Sequence, residues 1–234
     1  MQRLDEIRAA LRRLTVQQRM TVETWLQELD GTPVPENEVR EALPAYVAAD
    51  PSFMTLEEYL EFEETSSLLR HEFINGVLFA MNGATMIHHD IVSNLMRAMV
   101  SHVKRPCRVF SSGPKVVIRL KSKKISYYPD VLVDCRPHTR DRLYVRNPKL
   151  IVEVLSPSTQ HIDRCEKLEN YRQIDSVEEY VIVAQDVKQV IVYSRAERWN
   201  PRVYGVLDAA VDFRSIGLTM PMSELYDCTP DAIE

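Results

Sequence analysis

Two acidic residues, Asp130 and Glu153, interrupt apolar stretches of this chain that have the composition of short β-strands. The stretches cover residues 127–134 and 149–155, so the two acids come from strands that lie close together in the sequence. A carboxylate in a buried strand is costly unless a partner compensates its charge. A divalent cation between the two acids would compensate both. Hydrogen bonds from a nearby basic group to each acid are the alternative, and the spacing leaves both open.

Short apolar runs that alternate with amphipathic helices must position these acids, and this pattern predicts an α/β or α+β layered domain. Thr55 and Glu58 form a capping-box pattern before a helix at 56–64, and Asn75-Gly76 predicts a hairpin within 71–81. A long helix follows from 87 to 103, and Asp163 is a plausible N-cap for a helix at 164–174. The predicted strands are 107–110, 115–120, 128–134, 150–155, 179–184 and 190–194, of which the last two form a second hairpin.

Basic residues concentrate in one part of a chain whose formal net charge is −5. No acid occurs from position 91 to position 129, where there are nine bases. Such segregation is typical of a protein with one phosphate-facing side, although a solvated basic face without a partner has the same pattern. If this segment binds nucleic acid, the residues we expect to do so are Lys115, Arg119, Lys121, Lys123 and Lys124.

Residues 1–50 have a different character from the rest of the chain. Apolar residues recur at helical spacing through the first 30 positions, and three prolines follow between positions 33 and 44. We therefore predict an N-terminal helical extension with a linker at 1–50 and a main domain at 51–234. Two short helices bury little apolar surface by themselves, so their stripe must dock on the main domain or on a second copy. We expect a homodimer.

Several classes of protein do not fit the composition. No apolar run reaches the roughly 20 residues of a membrane-spanning helix, and the first residues lack a signal-peptide layout, so we expect a cytoplasmic protein. The six glycines form neither a dinucleotide-binding nor a phosphate-cradling motif, so we expect no nucleotide cofactor. The four cysteines are scattered, which predicts unpaired thiols and neither a zinc cluster nor a disulfide framework.

A series of motifs in a characteristic order resembles the restriction-endonuclease-like Uma family of the PD-(D/E)XK nuclease superfamily. The resemblance covers about residues 52 to 228 and leaves the N-terminal extension outside. It rests on Tyr59-Leu60, His71-Glu72-Phe73-Ile74-Asn75-Gly76, Met81-Asn82-Gly83-Ala84, His88 three residues before Ile91, Tyr128-Pro129-Asp130-Val131, Val152-Glu153-Val154-Leu155-Ser156-Pro157-Ser158-Thr159, Asp163-Arg164, Lys167, Tyr171 and Glu179-Tyr180.

The resemblance implies a central mixed sheet flanked by helices and metal-dependent cleavage of phosphodiester bonds in DNA. Carried over to this chain, Asp130 and Glu153 are the two metal-binding acids, and Glu72 is a further acid that completes the site. The backbone carbonyl of Val154 is a further expected metal ligand. Hard oxygen ligands of this kind favour Mg²⁺, with Mn²⁺ as a substitute. His88 and His89 are adjacent, so on a helix they point about 100° apart and are poor joint ligands.

The chain departs from the superfamily pattern at one position, because Leu155 stands where the usual lysine follows the second acid. Lys167, on the helix after the Ser-Pro loop, is one candidate to supply the missing ammonium group. Lys115, on the strand before Asp130, is a second. The third interpretation makes Lys167 a surface lysine paired with Asp163 four residues earlier.

Three functions therefore remain open on the sequence. The first is a Mg²⁺-dependent DNA endonuclease in which Asp130, Glu153, Lys167 and Glu72 are catalytic. The second is a nucleic-acid-binding module of the same fold that no longer cleaves, which the displaced lysine and the acidic net charge favour. The third is a regulatory or interaction protein that acts through its N-terminal helices.

Overall fold

The computed structural model describes residues 54–65, 70–81, 83–136, 144–156 and 162–227. The predicted helical extension at 1–50 lies outside these residues and stays a prediction. The described α-helices are α1 (Leu56–Thr65), α2 (Met86–His102), α3 (Leu168–Tyr171) and α4 (Met222–Leu225), and a π-helical segment, Ile162–Lys167, leads directly into α3. None of the described helices is both long and apolar enough to span a membrane.

Thirteen strands are present in the described part of the chain. In chain order they are β1 (His71–Ile74), β2 (Val77–Ala80), β3 (Arg108–Ser111), β4 (Lys115–Arg119), β5 (Lys124–Tyr127), β6 (Val131–Asp134), β7 (Tyr144–Val145), β8 (Leu150–Val154), β9 (Glu179–Val183), β10 (Val190–Ser194), β11 (Pro201–Tyr204), β12 (Ala210–Phe213) and β13 (Leu218–Pro221).

These strands form two large sheets and one small one. The six-stranded sheet has the order β11-β10-β9-β8-β6-β3, the five-stranded sheet has the order β2-β1-β5-β4-β7, and β12 pairs with β13. Both large sheets are mixed, because β8 and β9 run parallel, as do β4 and β7, while their other pairs are antiparallel. The prediction of an α/β domain with mixed sheet and flanking helices is confirmed.

The six-stranded sheet has a core on each of its faces. Alternate residues of its strands, such as Val131, Val152 and Val181, pack in the core that contains the apolar side of α2. The residues between them, such as Leu132 and Ile151, share a second core with the five-stranded sheet and with α3. Glu153 follows the alternation of Ile151. Its carboxylate is therefore directed towards the second core.

The short-range predictions agree with the structure. The Thr55 hydroxyl accepts from the Glu58 N–H at 3.2 Å, and the Glu58 carboxylate accepts from the Thr55 N–H at 2.7 Å, which completes the capping box of α1. Asn75 and Gly76 have φ values of 49° and 98° and join β1 to β2, as a two-residue hairpin requires. Strands β9 and β10 form the second predicted hairpin.

The predicted strand at 128–134 is shorter in the structure. β5 ends at Tyr127 in the five-stranded sheet, and β6 begins at Val131 in the six-stranded sheet. Between them lies Pro129, which has no N–H to donate to a ladder. Asp130 therefore lies just outside the strand, at the crossing between the two sheets.

The predicted helix at 164–174 also differs from the observed one. The helical turns begin earlier, at Ile162, are π-helical to Lys167, and end as α3 at Tyr171. Asp163 is inside the π-helical segment, and its carboxylate is buried against Lys167 instead of capping the helix.

The prediction of unpaired cysteines is wrong for two of the four. Cys107 and Cys135 form a disulfide. They are brought together because β3 and β6 pair with Arg108 opposite Asp134, so the residues that flank this pair also face each other. Cys165 is an exposed free thiol, as predicted, and Cys228 lies outside the described residues.

Candidate functional site

Glu153 is buried at the end of β8, where only 3% of the residue is exposed. Its Oε1 accepts a hydrogen bond from the Tyr171 hydroxyl at 2.9 Å and lies 3.2 Å from the Lys167 ammonium. Tyr171 belongs to the second core, and Lys167 lies on the π-helical segment that leads into α3. Glu153 is therefore a buried carboxylate that is held by a phenol and an ammonium group.

Lys167 is the centre of a buried cluster of acids and is 6% exposed. Its Nζ lies 3.0 Å from Asp163 Oδ1, 3.2 Å from Glu153 Oε1 and 3.2 Å from Glu72 Oε1. The ammonium also lies over the Tyr127 ring, 5.3 Å from its centroid. Lys167 is thus not the surface lysine of the third interpretation, although it does pair with Asp163.

Asp130 approaches the cluster from the crossing between β5 and β6. Its Oδ2 accepts a hydrogen bond from the N–H of Val154 at 2.7 Å and lies 3.2 Å from His88 Nε2. Since Val154 directly follows Glu153, this bond brings the two predicted metal-binding acids to the same end of β8.

Glu72 enters from the other sheet. It lies on β1, and its Oε1 accepts a hydrogen bond from the N–H of Tyr128 at 3.3 Å besides contacting Lys167. Tyr128 is two residues before Asp130. The four residues that the sequence predicted as catalytic, Asp130, Glu153, Lys167 and Glu72, are therefore brought together where the two sheets meet.

Burial sets the electrostatics of the cluster. Desolvation raises the pKa of Glu153 well above its usual value, against the opposing effect of Lys167, and repulsion from Asp163, Asp130 and Glu72 adds to the rise. Desolvation likewise raises the pKa of Glu72. Burial disfavours the charged form of Lys167, but its three carboxylate partners outweigh this and raise the pKa of Lys167 well above its usual value. The ammonium therefore stays charged, while the acids repel one another.

A divalent cation fits this donor set. The carboxylates of Glu153, Glu72 and Asp163 contact a single ammonium group, and that of Asp130 is held beside them by the N–H of Val154, so acidic groups outnumber the one ammonium group here. The described residues contain no group of three or more ligating side chains arranged around one point. Mg²⁺ is commonly held by one or two protein carboxylates, with water and substrate phosphate completing its shell. The pair Asp130 and Glu153 is of that kind.

The predicted nucleic-acid-binding residues fall into two places. Lys115 is buried, with its ammonium 5.3 Å from the centroid of the Tyr59 ring and 5.8 Å from that of Tyr128. Burial lowers the pKa of Lys115. The others are exposed around the turn between β4 and β5: Arg119, which binds Glu57, and the three turn lysines, Lys121, Lys123 and Lys124.

One turn lysine is connected to the acid cluster. Lys123 Nζ donates to Asn170 Oδ1 at 3.4 Å, and the Asn170 amide donates to the Tyr127 hydroxyl at 2.7 Å. Asn170 follows Lys167 by three residues, about one helical turn. The exposed basic turn therefore lies on the same side of the second core as the helix that carries Lys167.

The sequence did not identify three residues of the site. Asp163 was predicted as a helix cap, and Tyr171 was named only among the family motifs, yet both contact the acid cluster directly. His88 is buried against Asp130, whereas its neighbour His89 is exposed. The signal for His88 was its place among the family motifs, since adjacent histidines alone predict nothing about a contact 42 positions away.

Comparison with known proteins identifies the family of this chain. The model of the family named Uma2, described as "Putative restriction endonuclease", matches residues 56–223. The chain belongs to the Uma2 family. The predicted family resemblance is therefore confirmed, and the match contains all four predicted catalytic residues. The N-terminal extension lies outside the Uma2 match.

Two cyanobacterial proteins and one crystal structure extend the comparison. The uncharacterized Synechocystis sp. protein slr1290 is 30% identical over 174 residues, covering 73% of this chain and 90% of that protein. A second uncharacterized protein from the same organism, sll1609, is 32% identical over 153 residues, covering 64% of this chain and 85% of that protein. A crystal structure from Anabaena variabilis, described as a putative nuclease belonging to DUF820, superposes with a TM-score of 0.61 at 20% identity. It covers 74% of this chain and 97% of that one, and it shows that the two share a fold.

Proposed function

We propose that this Uma2-family protein is a metal-dependent endonuclease that hydrolyses phosphodiester bonds in DNA. One observation carries the proposal: three carboxylates contact a single buried ammonium group where two sheets meet, and a fourth, that of Asp130, is held beside them by the N–H of Val154. A cluster used only for structure would be expected to balance its charges, because an uncompensated buried charge costs several kcal/mol or more. An excess of acid is what a site for a divalent cation requires.

Asp130 and Glu153 would hold Mg²⁺ or Mn²⁺, with the backbone carbonyl of Val154 as a further oxygen ligand. When bound, such an ion polarises a phosphoryl oxygen and acidifies a bound water. The protein's own residues orient this site. The N–H of Val154 fixes the Asp130 carboxylate, and the Tyr171 hydroxyl fixes that of Glu153.

Lys167 is the residue that we propose for the role of the missing strand lysine. Its ammonium contacts Glu153 and Glu72, whereas that of Lys115 faces two aromatic rings. Negative charge that develops on the phosphate is stabilised by a fixed cation in a water-poor site. Glu72 contributes by anchoring Lys167 from the opposite sheet.

The substrate would reach the cluster along the turn lysines. Two observations support this path: all three lysines are exposed, and Lys123 contacts Asn170, which lies one helical turn after Lys167. Their positive charge would offset the repulsion between the acids and a phosphate. DNA is the substrate that we propose, since the family is described as restriction endonucleases.

The decisive experiment is nicking of supercoiled plasmid by the full-length protein with Mg²⁺, with Mn²⁺ and with EDTA. We expect nicking with either metal, none with EDTA, and none by Asp130→Asn. Lys167→Ala should lower the rate by about two orders of magnitude, as loss of one charge-stabilising donor does. Lys115→Ala is the matched control and should retain activity. Nicking that survives EDTA or Asp130→Asn would overturn the proposal.

A second function is favoured by one specific observation. An ammonium group has three N–H donors, and Lys167 faces three carboxylates at 3.0–3.2 Å, which leaves no donor for a phosphate in this arrangement. This arrangement would suit a nucleic-acid-binding module that does not cleave. Salt-dependent plasmid binding without nicking under any metal condition would support that function over the endonuclease.

A further inference from the structure

His88 is placed against Asp130 by the way in which α2 begins. Thr85 is the N-cap of α2, and its hydroxyl accepts from the His88 N–H at 3.2 Å. The same hydroxyl donates to Gln185 Oε1 at 2.6 Å, which ties the cap to the residues after β9. The position of His88 in the first turn is therefore fixed from two sides, independently of what its ring contacts.

The ring meets Asp130 at the same oxygen that the backbone holds. His88 Nε2 lies 3.2 Å from Asp130 Oδ2, and the N–H of Val154 donates to that oxygen at 2.7 Å. Two partners at Oδ2 fix the rotation of the Asp130 carboxylate about its Cβ–Cγ bond. Oδ1 is left as the oxygen for a ligand.

A purely structural explanation fits His88 poorly. The residue is 8% exposed, and its buried Nδ1 has no hydrogen-bond partner among the described residues. A buried polar atom without a partner lowers stability, so an apolar residue of similar size would pack there at lower cost. The contact with Asp130 is the feature that an apolar residue could not reproduce.

We infer that His88 is a positioning residue, which holds Oδ2 of Asp130 so that Oδ1 is presented to the metal ion. The inference rests on the proposed function, because it assigns a task at the same site. Groups that orient metal-binding carboxylates typically change metal affinity 10–100-fold when they are removed.

The test is calorimetric titration of Mn²⁺ into the full-length protein after metal removal. His88→Phe keeps a ring but loses the nitrogen, and we expect the Mn²⁺ affinity to fall by at least about tenfold. His88→Gln places an amide N–H near the position of Nε2 and should restore affinity to within about threefold of wild type. Asp130→Asn should abolish binding.

Asn94→Ala is the matched control for helix stability. Asn94 is buried on α2 and donates to the backbone carbonyls of Leu225 and Asp227, at 3.2 Å and 3.0 Å, without contacting Asp130. The Asn94→Ala substitution should lower the melting temperature and leave the Mn²⁺ affinity unchanged. Melting temperatures of all variants are measured in parallel.

The outcomes separate the inference from the proposed function. If the wild type and His88→Phe bind Mn²⁺ with equal affinity, the role of His88 is overturned and the metal site stays in place. A loss of affinity in Asn94→Ala as large as in His88→Phe, or no rescue by His88→Gln, would also overturn it. A wild-type protein that binds no Mn²⁺ would refute the proposed function, and the inference with it.

Discussion

Replacing Lys167 by methionine removes the one ammonium group from the buried acid cluster and keeps a side chain of similar length. Three carboxylates then lose a partner at 3.0–3.2 Å, in a place where the wild-type lysine is only 6% exposed. Breaking a buried ion pair by removing one partner costs about 3–5 kcal/mol. For a domain of this size we expect a fall in melting temperature of about 6–20 °C.

The loss of stability in Lys167→Met should depend on pH in a defined direction. Burial first, and then repulsion from Asp163, Asp130 and Glu72, raises the pKa of Glu153, and Lys167 opposes the rise. Without the lysine this pKa moves higher still. A carboxyl group whose pKa is raised on folding contributes stability below its unfolded pKa and loses it as pH rises through the folded pKa. The variant should therefore be closest to wild type in acid and furthest from it above neutrality.

Thermal unfolding at about pH 5 and about pH 8 measures this difference. Lys149→Met is the control, because Lys149 forms a partly exposed pair with Glu178 at 3.4 Å, which is worth about 0–1 kcal/mol. It should shift the melting temperature little at either pH. The electrostatic explanation of the cluster would be refuted if the melting temperature of Lys167→Met lay within about 2 °C of that of the wild type. It would also be refuted if the difference in melting temperature were equal at both pH values.

Three further predictions concern the metal, the DNA and the assembly. Calorimetric titration of the wild type with Mn²⁺ should show a site that disappears in the double variant Asp130→Asn, Glu153→Gln. Equal binding by the wild type and the double variant would refute these two acids as metal ligands. Replacing the three turn lysines by serine should flatten the dependence of log affinity for DNA on log salt concentration, since fewer counterions are released; an unchanged slope would move the DNA to another face. A chain that starts at residue 51 should keep its fold but sediment as a weaker oligomer, and unfolding on truncation would make residues 1–50 part of the core.

The parts of the fold that the sequence predicted are those decided by neighbours in the chain. Asn75-Gly76 determines its turn through its own backbone preferences, and the capping box of α1 needs only Thr55 and Glu58. Glu153 was recognisable because a single acid in an apolar strand is unusual in any fold. Each of these signals lies within a few residues of its effect.

The parts that the sequence missed depend on contacts between distant segments. The Cys107–Cys135 disulfide follows from the register of β3 against β6, which no local pattern encodes. The apolar composition of 127–134 does not show that its two halves belong to different sheets. The partners of Lys167 come from β1, β8 and its own helical turn, so their number could not be read from spacing, although its proximity to Glu153 could.

The crossing between β5 and β6 makes the cluster dependent on both large sheets at once. Its Tyr128 N–H holds Glu72 from one sheet, and its Asp130 carboxylate holds the end of β8 in the other. During synthesis Glu72 leaves the ribosome long before Lys167, so a nascent chain carries its acids without their ammonium partner. A chain in which only one sheet has formed lacks either Glu72 or the pair of Asp130 and Glu153. Under the proposed function, cutting activity would therefore first arise in the completed domain, and unfinished or misfolded copies would leave the cell's own DNA intact.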